Sequence, residues 1–249
     1  MYAETSTNLN IAGTGLSIKQ MTDYPNDGMV KISLDPEKPT TFTAHLRIPT
    51  WTGNQFVPGK LYKYVNQSNE DWSISVNGVK TKAKVEKGFA TIKRTWKKGD
   101  QIVLDLPMPL QINECDNRVE ENQNRLAFTR GPFVLCAEEI DNGGATQRFF
   151  LNRKKVAKKF KLASVQLASG SFSQVKTKAN AVDALGKEED RSLSLIPYYA
   201  WNNRNPGSMT IWFPTTPKLA VFDPHKLPKK SVFSSIEASH TSELDTASA

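Results

Sequence analysis

The sequence predicts an all-β protein built from antiparallel sheets packed as β-sandwiches. Three observations support this prediction. Apolar residues alternate with polar ones over short segments, which is the period of a strand with one buried face. These segments follow one another too closely to leave room for crossover helices. Proline and glycine mark their ends, as in Leu106–Pro109 and Arg130–Pro132.

The first half of the chain carries the clearest alternation. Every second residue is apolar in the segments Val30–Leu34, Phe42–Ile48, Trp72–Val76, Ala90–Ile92 and Ile102–Leu106. This alternation puts His45 on a solvent face. Asn77 and Gly78 predict a tight hairpin turn because both residue types tolerate positive φ. Trp96 keeps the phase of the strand before it and is expected in the core, whereas residues 53–69 are expected to form a long loop.

The second half is less regular. Strand character is strong at 126–137, weaker at 164–168 and 171–176, and returns at 209–213 before Pro214, while the segment 193–201 is apolar and aromatic. Residues 151–161 fit an edge strand or a short helix, and residues 179–190 are expected to be a polar connection. The chain then becomes rich in serine, threonine and proline, so residues 216–249 are predicted to be a linker or the start of a further domain.

Length and charge limit the class of protein. The 249 residues suffice for one large β domain or two smaller ones, and their net charge is +8. An apolar run long enough for a membrane-spanning helix is absent, and the polar N-terminus predicts no signal peptide. The basic tract 153–161 lacks the interleaved aromatic residues that stack bases. We therefore expect a solvated edge strand or hairpin whose lysines prevent pairing with other chains. We therefore expect no nucleic-acid and no membrane partner.

The residue types suited to metal or nucleophilic chemistry are few. The histidines His45, His225 and His240 lie far apart in sequence, and zinc needs three or four ligands, so we expect no metal site. Cys136 lies in an apolar strand and is expected to behave as a small hydrophobe. A disulfide between Cys115 and Cys136 stays open for an oxidising compartment. Nucleophile-elbow, phosphate-loop, dinucleotide-binding and His-Glu-x-x-His motifs do not occur.

Carboxylates and aromatic rings are the remaining candidates for function. Glycoside hydrolysis needs two carboxylates about 5–10 Å apart across a sugar, but neighbouring residues on a strand point to opposite faces. We therefore interpret the acidic runs at 120–121, 138–139 and 188–190 as structural or solvated charge. Exposed aromatic rings can contact the apolar faces of sugars, although most such rings fill the space between sheets. Trp51, at a loop entrance, is our candidate for sugar contact, and the other aromatic residues considered are Trp72, Trp96, Tyr198, Tyr199, Trp201 and Trp212.

A series of short motifs runs through residues 22–214. The motifs are Thr22–Pro25 with Asp27–Gly28, Leu46–Trp51, Val76–Gly78, Gly88–Ile92, Trp96–Asp100, Leu106–Pro109, Arg118–Glu120, Arg130–Pro132, Cys136–Glu138, and Ile196–Arg204 with Pro206–Gly207. In order and spacing they resemble the C-terminal region of glycoside hydrolase family 127, also called domain of unknown function 1680. The type activity of that family is β-L-arabinofuranosidase.

The resemblance implies an N-terminal (α/α)6 barrel that precedes this region and holds zinc-bound cysteines and a catalytic glutamate. No position here matches those residues, so we assign no catalytic and no metal residue to this chain and expect zinc only in the barrel. The resemblance also implies two jelly-roll-like β-sandwich modules. We expect the first at residues 1–115, completed by 208–215, and the second at 116–207. Insertion of the second into the first would explain why the alternation stops near residue 120.

These considerations lead to one expected function and one alternative. We expect the chain alone to be inactive and to support the barrel of an enzyme acting on arabinose-containing plant glycans. The alternative is a carbohydrate-binding module that acts through exposed aromatic residues. The expected partners are the barrel of the same protein and plant polysaccharides or oligosaccharides. The sequence leaves the localisation open, and a bacterial periplasmic or secreted parent protein would fit the resemblance.

Overall fold

The computed structural model describes residues 2–53, 56–65, 70–153, 160–167 and 170–222, and within them the protein is nearly all β, as predicted. The first strands are β1 (Thr5–Ile11), β2 (Thr14–Thr22), β3 (Met29–Pro36), β4 (Thr40–Arg47), β5 (Tyr62–Tyr64), β6 (Ser73–Val76), β7 (Val79–Lys80), β8 (Lys84–Glu86), β9 (Phe89–Trp96) and β10 (Asp100–Asp105). The later strands are β11 (Leu110–Cys115), β12 (Arg125–Arg130), β13 (Phe133–Glu138), β14 (Phe149–Phe150), β15 (Lys161–Leu167), β16 (Gly170–Val182), β17 (Glu188–Pro197), β18 (Met209–Thr210) and β19 (Phe213–Pro214). A short helix, α1 (Glu139–Asn142), follows β13, and no described helix is long and apolar enough to cross a membrane.

The first unit is a sandwich of two antiparallel sheets. One sheet has the strand order β1-β2-β3-β10-β6-β7, and the other has the order β4-β9-β8. The predicted alternation explains their packing, because the apolar residues of Val30–Leu34 are buried in the core between the sheets. Trp96 is fully buried there, and its indole N–H donates to the carbonyl oxygen of Phe42 over 3.1 Å. The predictions for Trp96 and for a solvent-facing His45 are confirmed.

Two close backbone arrangements fix this sandwich. Asn77 and Gly78 have φ values of 51° and 79° and close the predicted hairpin turn between β6 and β7. Gly28 precedes β3 where the chain passes close to Leu106, and a Cβ atom on Gly28 would lie 1.8 Å from the Leu106 carbonyl oxygen. The Leu106 N–H also donates to the Gly28 carbonyl over 3.1 Å. A side chain at position 28 would therefore force the two backbones apart.

The second unit is one extended sheet with a core of its own. Its described strands run in the order β14-β16-β17-β13-β12-β11-β5, while β15, β18 and β19 pair with β16, β13 and β12. Phe128, Phe149 and Phe213 are fully buried in the core. The rings of Phe128 and Phe213 meet edge to face with centroids 6.0 Å apart, a favourable aromatic geometry.

The polar connection expected at residues 179–190 is mostly strand. β16 and β17 form a long hairpin there, and its turn is stabilised by the Asp183 carboxylate, which accepts the N–H groups of Leu185 and Lys187 at 2.9 and 2.8 Å. The charged residues in this stretch face solvent on the outer part of the hairpin, whereas Ala181 is fully buried. Polar composition here reflects an exposed face rather than an irregular chain.

The expected return of residues 208–215 to the first sandwich is also wrong. Met209–Thr210 pairs with β13, and Phe213–Pro214 pairs with β12, so both segments complete the second sheet. The physical reason is the burial of Phe213 against Phe128 in the second core. β11 also belongs to the second sheet through its pairing with β12, so the chain changes unit near residue 109 rather than residue 115.

The loop expected at residues 53–69 contains a strand that joins the two units. β5 pairs antiparallel with β11, with Tyr64 opposite Asn113 and Tyr62 opposite Cys115. The Tyr64 hydroxyl donates to the main-chain carbonyl of Trp51 over 3.2 Å. A segment that follows β4 of the first sandwich in sequence therefore supplies an edge strand to the second sheet.

Part of the predicted linker and most of the basic tract lie outside the described residues, namely 223–249 with His225 and His240, and 154–159. The described start of the linker is ordered against the second unit. Pro217–Leu219 form a 3₁₀ turn, and the Val221 N–H donates to the Gln147 carbonyl over 3.0 Å.

Candidate functional site

Both carboxylates of the acidic run at 138–139, at the start of α1, form hydrogen bonds with other parts of the chain. Glu138 is 4% exposed and forms an ion pair with Arg204, whose guanidinium also donates to both carboxylate oxygens of Asp141 at 2.8 and 2.6 Å. The other Glu138 oxygen accepts the Asn202 N–H at 2.8 Å. These bonds tie the loop after β17 to β13 and α1.

Glu139 is committed to a different neighbour. Its carboxylate accepts the N–H and the hydroxyl of Ser208 at 2.9 and 2.8 Å, and these two bonds lower the pKa of Glu139. Glu138 and Glu139 thus have separate partners, and both act to position the segment before β18.

The other two acidic runs lie at the surface. Glu120 and Glu121 are exposed in a 3₁₀ turn. In β17, Glu189 pairs with Arg191 at 2.7 Å, and Asp190 accepts a hydrogen bond from Asn180 at 2.7 Å. Each of these carboxylates either faces open solvent or is bonded to a neighbouring side chain.

The cysteines form no disulfide and do not fit a zinc site. Cys136 is fully buried, and burial raises the pKa of its thiol to about 12, in agreement with the prediction of a small hydrophobe. The Cys115 thiol donates to the Asn122 carbonyl at 3.1 Å and to the Val119 carbonyl at 3.7 Å, a role that requires the protonated form. Among the described residues, no group of three or more His, Cys, Asp or Glu could hold a metal ion.

Trp51 is not exposed as expected. It is 8% exposed, lies in the 3₁₀ turn Thr50–Thr52, and packs against the core of the first sandwich. The Trp51 side chain belongs to the core of the first sandwich, against which Tyr24 and Phe56 also pack, and its main-chain carbonyl accepts the Tyr64 hydroxyl of β5. The expectation of an exposed ring is wrong, and sugar contact by Trp51 stays a prediction that its burial does not favour.

Exposed aromatic rings lie instead in the segment after β17. Tyr198, Tyr199 and Trp201 are 44%, 60% and 38% exposed. The rings of Tyr198 and Trp201 stack with centroids 5.8 Å apart and planes at 12°, and the Tyr199 ring lies 5.3 Å from that of Phe133. These rings form a cluster of exposed aromatic surface beside the end of β17.

An apolar groove of about 390 Å³ opens beside Tyr198 at the junction of the two units. It is lined by Phe56, Val57, Tyr62, Asn113, Ala127, Thr129, Val134, Tyr198, Ile211 and Trp212. The rings of Tyr62 and Trp212 lie 5.8 Å apart with planes tilted by 31°. Sequence reasoning named Tyr198 and Trp212 as aromatic candidates but missed the groove, because its walls come from segments far apart in the chain.

A separate cavity of about 310 Å³ is polar and includes the described end of the basic tract. In this cavity the Glu114 carboxylate forms ion pairs with Lys63 at 3.0 Å and with Arg153 at 2.6 Å. Burial acts to raise the pKa of Glu114, but the two bonded cations outweigh it and lower that pKa. Lys63 and Arg153 are thus both paired with the Glu114 carboxylate.

These features define an all-β region of antiparallel sheets with an aromatic groove between its two units. Residues 1–108 match the family model described as "Beta-L-arabinofuranosidase, GH127 middle domain". Residues 110–214 match the model described as "Glycoside hydrolase family 127 C-terminal domain". The chain belongs to glycoside hydrolase family 127, and the boundary between the matches coincides with the change of unit before β11.

Individual relatives agree with this assignment. The chain is 27% identical over 215 residues to the "Non-reducing end beta-L-arabinofuranosidase" of Bifidobacterium longum, an alignment covering 80% of this chain and 30% of the relative. It is similar to the solved structure of the GH127 β-arabinofuranosidase BT3674, with TM-score 0.81 and 32% identity over 89% of this chain and 35% of that one. It is also similar to a GH127 β-L-arabinofuranosidase from Geobacillus stearothermophilus T6, with TM-score 0.73 and 29% identity over 86% of this chain and 33% of that one. The chain thus spans about a third of the length of these relatives.

Proposed function

We propose that this chain is the non-catalytic β-sandwich region of a family 127 glycoside hydrolase and that it supports a catalytic (α/α)6 barrel. The observation that carries the proposal is the pair of consecutive matches to a middle and a C-terminal domain, which together account for only a third of the relatives' length. The substrate class is that suggested by the relatives' names, namely glycans that contain L-arabinofuranose. The zinc and the catalytic glutamate belong to the barrel in this proposal.

The geometry favours a supporting role because the polar groups that could act chemically already serve the fold. Glu138 and Asp141 neutralise Arg204, Glu139 binds Ser208, and Cys115 donates to main-chain carbonyls. General acid–base catalysis needs a carboxyl group free to exchange a proton with substrate. A rigid platform, in contrast, benefits from carboxylates that hold loops in place.

An activity assay on the full chain tests the non-catalytic part of the proposal. We expect hydrolysis of an aryl β-L-arabinofuranoside to be indistinguishable from the buffer rate, with the Bifidobacterium relative as the positive control. Turnover that scales with the concentration of this chain would overturn the proposal. The role as support is tested by the coding sequence upstream of Met1, where we expect a helical barrel with clustered cysteines and a glutamate. An unrelated reading frame in that position would contradict it.

A further inference from the structure

We infer that the groove between residues 56–62 and the outer face of the second sheet is a sugar-binding subsite. This site differs from the Trp51 contact expected from the sequence. It lies on the face of β11 and β12 that points away from the second core. Asn113 and Ala127 are paired across these two strands, and their side chains lie on the face opposite to Ile112 and Phe128.

The walls of the groove present aromatic and aliphatic surface to a ligand. Tyr62 and Trp212 form one wall with rings 5.8 Å apart, and Tyr198, 44% exposed, stands at the rim. Val57, 38% exposed, lies on the side contributed by the first unit. Such walls suit the apolar C–H faces of a furanose or pyranose ring, which pack against aromatic rings while the hydroxyl groups stay in water.

The groove also contains an unused polar group. Asn113 is 4% exposed and lines the groove, and its Nδ2 donates to Thr129 Oγ1 at 2.9 Å. Its Oδ1 has no hydrogen-bond partner in the protein. A buried acceptor without a partner is unfavourable because it has lost its hydrogen bonds to water, and a ligand or a water molecule commonly supplies the missing donor. A sugar hydroxyl is a donor of suitable size to bind Asn113 Oδ1.

The size and the composition of the groove agree with a small ligand site. Its volume of about 390 Å³ falls within the ~300–1,000 Å³ typical of small-molecule pockets, which combine apolar walls with a few placed polar groups. One or two sugar residues would fill it. The choice of arabinose-containing glycans as the ligand class rests on the proposed function, whereas the existence of the site does not.

Titration of the full chain with sugars tests this inference. An arabino-oligosaccharide, a xylo-oligosaccharide and a gluco-oligosaccharide are added separately, and binding is followed by tryptophan fluorescence and by saturation-transfer NMR. We expect the arabino-oligosaccharide to bind and to perturb the fluorescence of Trp212. Tyr198→Ala should weaken binding at least tenfold, and so should Val57→Asp, which places a charge at the apolar wall without altering a strand.

Tyr199→Ala is the matched control, because Tyr199 is an equally large exposed ring next in sequence but is not part of the groove lining. It should leave the affinity within twofold, and thermal melts should show that all three variants fold. Absence of binding to every sugar, or equal losses for the Tyr198 and Tyr199 variants, would overturn the inference while leaving the assay for hydrolysis unaffected. Binding of a separately expressed barrel domain that Tyr198→Ala abolishes, without any sugar binding, would identify the groove as a docking surface and also overturn it.

Discussion

The Tyr64 hydroxyl donates a hydrogen bond to the main-chain oxygen of Trp51 over 3.2 Å, joining the edge strand of the second sheet to a turn of the first sandwich. Burial raises the pKa of Tyr64 to about 12, while a hydrogen bond with Thr129 acts in the opposite direction. The Thr129 hydroxyl in turn accepts a hydrogen bond from the Asn113 side-chain amide at the groove. One buried phenol therefore connects the junction of the units with the polar part of the groove.

We predict that Tyr64→Phe lowers the free energy of unfolding at pH 8 by about 1–2 kcal/mol, because it removes a buried hydrogen bond. The raised pKa means that folded protein favours the protonated phenol, so this contribution is present below pH 10 and is lost as the pH rises from about 10 to about 12. The variant should therefore lose less stability over that interval. Urea unfolding at several pH values measures both effects. Tyr198→Phe, on an exposed ring, is the control, and an identical alkaline loss in wild type and Tyr64→Phe would contradict the assignment.

Arg204→Ala should destabilise the second unit by about 3–5 kcal/mol, because it leaves the buried Glu138 carboxylate without its cation. Adding Glu138→Gln to that variant should recover part of the loss. The control is Arg191→Ala, which breaks the more exposed pair with Glu189 and should cost about 0–1 kcal/mol. Chemical denaturation of the four proteins measures the differences. Similar losses of stability for Arg204→Ala and Arg191→Ala would mean that the ion pairs of Arg204 with Glu138 and Asp141 do not stabilise the fold.

Asp100 makes the first sandwich sensitive to acid. Burial acts to raise the pKa of Asp100, but hydrogen bonds from the Asn77 amide at 2.8 Å and the Lys97 N–H at 2.9 Å outweigh it and lower that pKa. The stabilisation is therefore present above the unfolded value of about 3.9 and is lost as the pH falls through the lower folded value. Asp100→Asn should cost about 1–3 kcal/mol at pH 7, and the difference from wild type should shrink below pH 4.

Thermal melts between pH 2 and pH 7 follow this change. Asp105→Asn, at the exposed end of the same strand, is the matched control and should shift stability by less than about 0.5 kcal/mol. A constant difference between Asp100→Asn and wild type across the whole pH range would refute the electrostatic explanation.

Gly28→Ala should cost about 3 kcal/mol, at the upper end for overpacking, because its Cβ would overlap the Leu106 carbonyl oxygen at 1.8 Å. Gly15→Ala is the comparison, since the atoms nearest to its Cβ would belong to the movable carboxylate of Glu37, and we expect a change of less than about 0.5 kcal/mol. Midpoints of guanidinium unfolding give both values. If both variants are equally stable, the close approach of the two backbones is not a fixed feature of the sandwich.

The sequence predicts the first sandwich well because its strands have one buried and one exposed face. Segments such as Val30–Leu34 carry that contrast in their residue types, and the turn at Asn77–Gly78 requires residues that tolerate positive φ. The hairpin of β1 and β2 was not predicted, since β1 is exposed along almost its whole length and shows no alternation. An edge strand with two polar faces can be recognised only once its neighbour is known.

The groove could not be predicted for a different reason. Whether an aromatic ring lies in the core or at the surface depends on which elements cover it. Those elements can come from distant parts of the sequence. Trp51 lies at a loop entrance but packs in the core of the first sandwich, whereas Tyr198 follows an apolar strand yet stands exposed. The role of Asn113 could not be predicted from the sequence, because a single polar residue in a strand becomes informative only when its hydrogen-bond partners are known.

The pairing of β5 with β11 has a consequence for the independence of the two family domains. Main-chain hydrogen bonds cross the boundary, so the C-terminal domain completes its sheet with a strand encoded within the middle domain. If the chain were divided at residue 109 and the halves were expressed separately, β11 would lose its partner β5. Its unpaired edge could then form hydrogen bonds with strands of other chains. The two domains are thus distinct as sequence matches but interleaved as folding units, and recombining either one with a different partner would have to preserve that shared strand.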